Sequence, residues 1–250
     1  MEWRDAGIIL DLKHHGESHL IVSLLSPHQG RVKGLWRSGA KKRHALQGLS
    51  VVDATWRARL PEHLGEWKFE ILRTPFAAAF DDPFKLLALK AAVSLCEQLL
   101  PEREPHPRVY EALLLLAQNL EYPHWWLSYL DLERALIREA GIPLEFEGCA
   151  VTGQSENLAY VSPRTGRAVV AAAAEPYMDK LIPLPQFWSS ARAFKACEQP
   201  TFHDILRGLD LTGYFLARYA LEVHHLNMPQ ARIDLVDRVR AKTERNQREP

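Results

Sequence analysis

The stretch GRVKGLWRSGAKKR, residues 30–43, sets six Lys or Arg beside one Trp with no acidic residue, in a chain of 250 residues whose formal net charge is zero. The chemistry open to such a stretch is electrostatic. Each phosphate that a cation neutralises releases condensed counterions, so a polyanion binds tightly at low salt and weakly at high salt. The plain alternative is a solvated face and a charged loop that keep the fold soluble. Catalytic chemistry finds no constellation. Lys41 does not directly follow Gly39 and no Ser or Thr follows the lysines, so a phosphate-cupping loop is absent. GQSEN at 153–157 lacks the second Gly of a nucleophile elbow, and no HExxH occurs. His14 with His15, and His224 with His225, are adjacent pairs that a strand or helix turns to different sides. Asp81 and Asp82 stand at an expected helix start, where capping accounts for them.

Composition bounds what carries this stretch. Hydrophobic residues make up 47% and charged residues 25%, as in ordinary globular proteins. The first residues lack the basic region and long apolar run of a secretion signal. Apolar runs such as ALLLLA at 112–117 fall short of the roughly 20 residues of a membrane span, so no membrane association is expected. Three widely spaced cysteines, Cys96, Cys149 and Cys197, make no disulfide framework, and the expected compartment is the cytoplasm. Charge is unevenly spread: residues 1–80 hold 12 Lys or Arg against 8 Asp or Glu, and the remainder 19 against 23.

In the first third, apolar residues recur with period two. Ile8, Leu10 and Leu12; Leu20, Val22 and Leu24; Val32, Gly34 and Trp36; Val52 through Leu60; and Trp67, Phe69 and Ile71 each mark one face of a strand. Five short strands parted by turn signals predict a small barrel of the OB type. If Val32 and Trp36 face the core, Arg31, Lys33 and Arg37 stand on the opposite face, as do Arg57 and Arg59 on the fourth strand. Lys41, Lys42 and Arg43 follow in a basic loop. The same parity makes Trp36, Trp56 and Trp67 packing groups rather than base-stacking platforms.

From Asp82 the period becomes helical. Asp82 and Pro83 are an N-cap and first helical residue, two further helices open with Pro, and Gly141 follows the last of them. Residues 142–183 read as irregular. A long helical pattern returns from Thr201, which with Asp204 resembles a capping box. The tail after Asp237 is polar and expected to fray.

GCAVTGQSENLAYVSPRTGRAVV, residues 148–170, spaces Cys149 and Thr152 as a C-x-x-C knuckle would space two cysteines. This stretch, following a five-stranded barrel and a set of helices, resembles the RecO family of bacterial DNA repair and recombination mediator proteins. The similarity spans nearly the whole chain. It includes the opening DAGIILDLKHHGESHLIVSLLSPHQGRVKGLWRSGAKK, with its E-S-x-x-I/L-V-x-L-L-S-x-x-x-G pattern before a basic segment, and LDLERALIREAGIPLEFEGCAVTG. Many members bind zinc here through four cysteines. This chain keeps only Cys149, so the zinc site is degenerate and no cofactor is expected.

The resemblance implies an α+β multidomain chain. Its N-terminal OB-fold barrel over residues 1–80 would bind DNA, and a helical domain over 81–250 would carry the zinc-ribbon-like segment 142–183. It implies a strand-annealing mediator of the RecF pathway that binds single- and double-stranded DNA without being an enzyme. RecR and single-stranded DNA-binding protein would be its partners, and RecA would be served indirectly. The DNA-binding expectation falls on Arg31, Lys33, Arg37, Lys41, Lys42, Arg43, Arg57 and Arg59. Lys85 and Lys90 on the first helix are candidates for a partner's acidic tail. An RNA-binding OB protein and a protein-interaction scaffold are the competing readings.

Overall fold

The structure, a computed structural model, describes residues 1–16, 19–37, 46–60, 63–75, 79–189 and 200–248. Lys41, Lys42, Arg43 and Cys197 lie outside the described residues. Among those described, no helix is long and apolar enough to cross a membrane. The chain divides into two compact units, Met1–Glu121 and Tyr122–Pro250.

In the first unit, period-two patterning becomes five strands: β1 (Glu2–His15), β2 (His19–Ser26), β3 (Gly30–Trp36), β4 (Val51–Arg57) and β5 (Gly65–Arg73). They close into a barrel in the order β1-β2-β3-β5-β4. Its core holds Ile9, Leu20, Val22, Leu24, Val32, Trp36, Val52, Ala54, Trp56 and Trp67. Closure depends on a short parallel contact of Gly34–Trp36 with Gly65–Trp67. A Cβ on Gly65 would lie 2.2 Å from the Trp56 ring, so only glycine lets β5 pass this close.

The strict alternation expected of β1 does not hold. A register shift between Ile9 and Asp11 turns the strand, so that Ile9 and Leu12, not Ile8 and Leu10, face the barrel core. Ile8 and its cross-strand partner Leu25 are fully buried on the other face. Helix α1 (Pro83–Leu99) packs against β1, and α2 (Pro107–Asn119) against β1 and β2. Asp82 caps α1 as expected, accepting from the N–H groups of Phe84 at 2.9 Å and Lys85 at 3.3 Å.

The second unit contains α3 (Trp125–Glu139), a small sheet of β6 (Leu158–Val161), β7 (Ala168–Val170) and β8 (Ile182–Pro183), then α4 (Phe202–Phe215) and α5 (Gln230–Arg248). Thr201 caps α4, accepting from Asp204 N–H at 3.1 Å. The expected frayed tail is instead the second half of α5. Leu235, Val239 and Thr243 recur every four residues and are buried, so a polar segment is held helical by one packed stripe. Arg232 anchors its start: Nε donates to Glu133 Oε1 at 2.7 Å, and Nη2 to Oε2 at 3.0 Å and to the Leu209 carbonyl at 2.7 Å. Tyr129 adds a 2.6 Å bond to Glu133, and Thr212 a further contact. Burial opposes the charge on Arg232, but the Glu133 carboxylate outweighs it and holds the guanidinium protonated.

In the knuckle, Cys149 Sγ accepts the N–H groups of Val151, Thr152 and Val170, each at 3.4 Å. A structural zinc takes four Cys or His ligands, and this motif does not fit one, because Cys149 is its only cysteine and Thr152 stands at the second position. Burial disfavours the Cys149 thiolate, yet the bonds from Thr152, Val170 and Val151 prevail and lower its thiol to about 7.

Two outcomes follow from these arrangements. Glu133→Ala leaves Arg232 buried and unpaired and should cost about 3–5 kcal/mol in denaturant unfolding, whereas replacing both by apolar residues of similar volume should recover most of that loss. The depressed thiol makes Cys149 stabilising as thiolate, fully above its ordinary value of 9.0 and not below about 7. The stability difference between the wild type and Cys149→Ala, measured in reductant, should therefore grow from pH 7 to pH 9. A difference independent of pH would mean that the thiolate has no part in holding the knuckle.

Candidate nucleic-acid interface

Strand β3 carries the first of the expected cations, and its neighbours are set by backbone. The segment after α1 runs beside β3: Arg103 N–H donates to the Arg31 carbonyl at 2.9 Å, and Arg31 bridges Glu102 in parallel register. The approach is so close that a Cβ on Gly30, at φ +69, would lie 2.1 Å from the Glu104 carbonyl oxygen. Arg31 is consequently covered. It is 8% exposed, and its guanidinium donates to the Leu100 carbonyl at 2.8 Å and to Glu97 at 3.2 Å. Strand parity sends Arg31 away from the barrel core as expected, but on that side the 100–104 segment covers it, so it is not displayed to a ligand.

Lys33 is half-buried and pairs with Glu102 at 2.6 Å. That bond, with the nearby charges of Arg31 and Arg103, holds the Glu102 carboxyl below the usual carboxylate range against the effect of partial burial. Arg37 is exposed and pairs with Glu66 at 2.6 Å. Arg57 is exposed, 3.9 Å from Glu2. Arg59, expected on the fourth strand, is exposed but lies two residues beyond its end at Arg57, and on α1 Lys85 is half-buried and Lys90 exposed.

Cross-strand register arranges these groups in rows. Glu2, Arg57 and Glu66 stand opposite one another on β1, β4 and β5, and Arg37 completes an alternating line. The next row, Arg4, Thr55 and Lys68, is cationic; the one beyond, Ala6, Asp53 and Glu70, is acidic. Arg4 reaches across rows to grip Asp53 with bonds of 2.9 and 2.5 Å, and so keeps that carboxyl low. Strand β3 is basic in sequence, but the described barrel surface has mixed charge. Residues 18–52, which include Lys41, Lys42 and Arg43, contain no acidic residue.

Aromatic groups divide as parity predicts, with one addition. Trp36, Trp56 and Trp67 are 8%, 2% and 3% exposed, and the Trp56 and Trp67 indole N–H groups donate to the carbonyls of Lys33 and Val22. Trp3, which sequence reasoning passed over, is half-buried at the start of β1, stacked on Trp56 at 5.9 Å and edge-on to Trp67 at 5.5 Å. Arg103, also missed, lies 5.5 Å over the Trp56 ring. The signal for Trp3 was its parity with Gly7 and Ile9; Arg103 had none. Among the described residues, no three His, Cys, Asp or Glu side chains gather to hold a metal. Cations of this surface could neutralise phosphate only by exchanging the carboxylates they hold, and Trp3 is engaged with Trp56 and Trp67.

Comparison with known proteins bears on which polyanion is meant. Residues 1–75 match the family model described as Recombination protein O N terminal, and residues 81–226 that described as Recombination protein O C terminal. The chain is similar to a protein named DNA repair protein RecO in Rhodospirillum centenum, 42% identical over 244 residues covering 96% of this chain and 95% of that one. It is 41% identical to one of the same name in Cereibacter sphaeroides ATCC 17025, covering 95% of this chain and 98% of that one. A third, from Wolbachia pipientis wMel, is 35% identical across 93% and 98%. These matches do not favour the RNA-binding or scaffold readings. With both halves matched and the relatives spanned almost end to end, a five-stranded barrel followed by a helical part is what the family's two models cover here, and the chain belongs to the RecO family.

Proposed function

We propose that the chain serves its family's role as a recombination mediator in DNA repair by binding single- and double-stranded DNA on the barrel and annealing strands without catalysing a covalent step. The observation that carries this is the placement of surplus charge. Most cations of the described barrel surface are paired with carboxylates, and Lys41, Lys42 and Arg43, between β3 and β4, add three adjacent cations to a stretch, residues 18–52, that contains no acid. Phosphates would engage that loop first and then compete with Glu102 for Lys33 and with Glu66 for Arg37. Contact with the backbone positions the strand and leaves base edges open for pairing. Trp3 offers a ring on which an unpaired base can stack.

Competition with internal carboxylates makes the complex easy to reverse, which suits a protein that must hand its strand on. RecR and single-stranded DNA-binding protein are the partners proposed, with RecA loaded indirectly in the cytoplasm. Lys85 and Lys90 are proposed to meet the acidic tail of the single-stranded DNA-binding protein. Replacing both with Ala should weaken binding of that tail in fluorescence anisotropy, and an unchanged affinity would remove them from the partner surface.

The deciding experiment is a salt titration of oligonucleotide binding. The variant Lys41→Ala, Lys42→Ala, Arg43→Ala should lower the slope of log affinity against log salt by about 2 to 3; an unchanged slope would place DNA elsewhere. Glu102→Gln frees Lys33 from its carboxylate and should tighten binding by up to about fivefold at low salt, the worth of one surface ion pair. Weaker binding by that variant would show that the pair organises the site instead of competing with DNA.

A further inference from the structure

Between α4 and α5 the chain stops a helix in an uncommon way. After α4 the backbone widens into a π turn, Leu216–Leu221, and tightens into a 3-10 turn, Glu222–His224. His225 N–H then donates to the Glu222 carbonyl at 3.1 Å, and Leu226 N–H to the Leu221 carbonyl at 2.9 Å. These are the two nested bonds of a Schellman stop, whose central residue takes the left-handed conformation that glycine adopts without penalty. Here that residue is His225, at φ 54° and ψ 35°. Residues other than glycine held in this conformation cluster at ligand sites.

The His225 side chain lines a surface pocket of about 380 Å³, with Leu221, Leu226 and Met228 as apolar walls and Glu222 and Asn227 as further polar groups. That volume suits a small ligand or a single side chain. Leu221 and Leu226 are the pair of apolar positions that a Schellman stop sets against each other, so the stop builds part of the wall. Glu222 is a second departure from local preference. It stands in the last helical turn, where the carbonyl end carries about half a negative charge and disfavours an acid. Among the described residues its exposed carboxylate makes no hydrogen bond or ion pair. Arg218, four residues earlier, does not line the pocket: the Tyr214 hydroxyl engages it at 3.3 Å, and it lies 5.8 Å from the centre of the Tyr219 ring. Helix stability therefore explains neither His225 nor Glu222, and both face one concavity.

We infer that this pocket receives a lysine side chain from a protein partner. The four-carbon stem lies along Leu221, Leu226 and Met228, and the ammonium donates to the Glu222 carboxylate and the Asn227 carboxamide oxygen, at the negative end of the helix. A neutral imidazole at His225 supplies one more acceptor. The choice of a protein over a free amine rests on Val223, the chain neighbour of Glu222, which is 65% exposed and offers apolar surface to the residues flanking the lysine. The site uses an acid and is independent of the DNA role proposed above.

The test titrates N-acetyl-lysine methylamide into the isotope-labelled full chain and follows backbone amides by NMR. N-acetyl-norleucine methylamide, which keeps the stem without the charge, and ethylammonium, which keeps the charge without the stem, are titrated beside it. The lysine probe should shift amides of residues 217–228 in a saturable way and bind about fivefold tighter than the norleucine probe, the worth of one exposed ion pair. Glu222→Gln should erase that difference. Its thermal unfolding, followed by circular dichroism, should be unchanged or slightly raised, because an acid leaves a helix C-terminus. No saturable shift at these residues overturns the inference, as does equal binding of the lysine probe and either control. A lysine preference that survives Glu222→Gln overturns it too, and a lowered unfolding temperature in that variant gives Glu222 a structural role in its place. Tighter binding of N-acetyl-glutamate methylamide makes the pocket an anion site, and tighter binding of spermidine assigns it to a free amine; each result overturns the lysine reading.

Discussion

A cation that already holds a carboxylate must release it before it can hold a phosphate, and this exchange governs the barrel surface. Lys33 with Glu102, Arg37 with Glu66, and Arg4 with Asp53 are pairs of 2.5–2.6 Å at their closest, made in cis and partly exposed. Each is worth little to stability in water. Their effect is on ligands: they subtract from the counterion release that drives polyanion binding. Affinity for a polyanion then depends on what each phosphate gains over the carboxylate it displaces.

The same interaction has a different meaning where water is excluded. Arg232 and Glu133 are 5% and 0% exposed, with every acceptor position used. Such a pair contributes less to net stability than to the cost of breaking it. It joins α5 to the α3 and α4 helices of its unit, so a helix with a polar exposed surface stays ordered. Arg31 stands between the two regimes. Its side chain is 10% exposed and faces Glu97 at 19% and Glu102 at 43%, which makes it a tie between β3 and the segment following α1.

Much of the barrel was legible because its information is local. Period-two alternation located five strands, and the Trp36, Trp56 and Trp67 core, without knowledge of their partners. Asp82 and Thr201 announced their helices through capping chemistry confined to three or four residues. What could not be read depended on distant chain. The shift between Ile9 and Asp11 depends on how β1 divides itself between β2 and β4. The burial of Arg31 depends on Glu97, Leu100 and Glu102, nearly seventy residues away, and no period in residues 30–36 encodes it. The tail failed for another reason: its charge hid a sparse stripe, Leu235, Val239 and Thr243, that is enough to hold a helix only because Arg232 finds a buried acid.

Zero net charge is compatible with polyanion binding because fields in salt are local. At physiological ionic strength the screening length is about 8 Å, roughly one and a half turns of helix and far shorter than the protein. Acids on one part of the surface therefore do little to a phosphate on another. What matters is whether a cation has an acid within that distance. Alternating rows on β1, β4 and β5 satisfy this condition and cancel themselves. Lys41, Lys42 and Arg43 belong to a stretch, residues 18–52, that contains no acid, and the balance of the whole chain hides it.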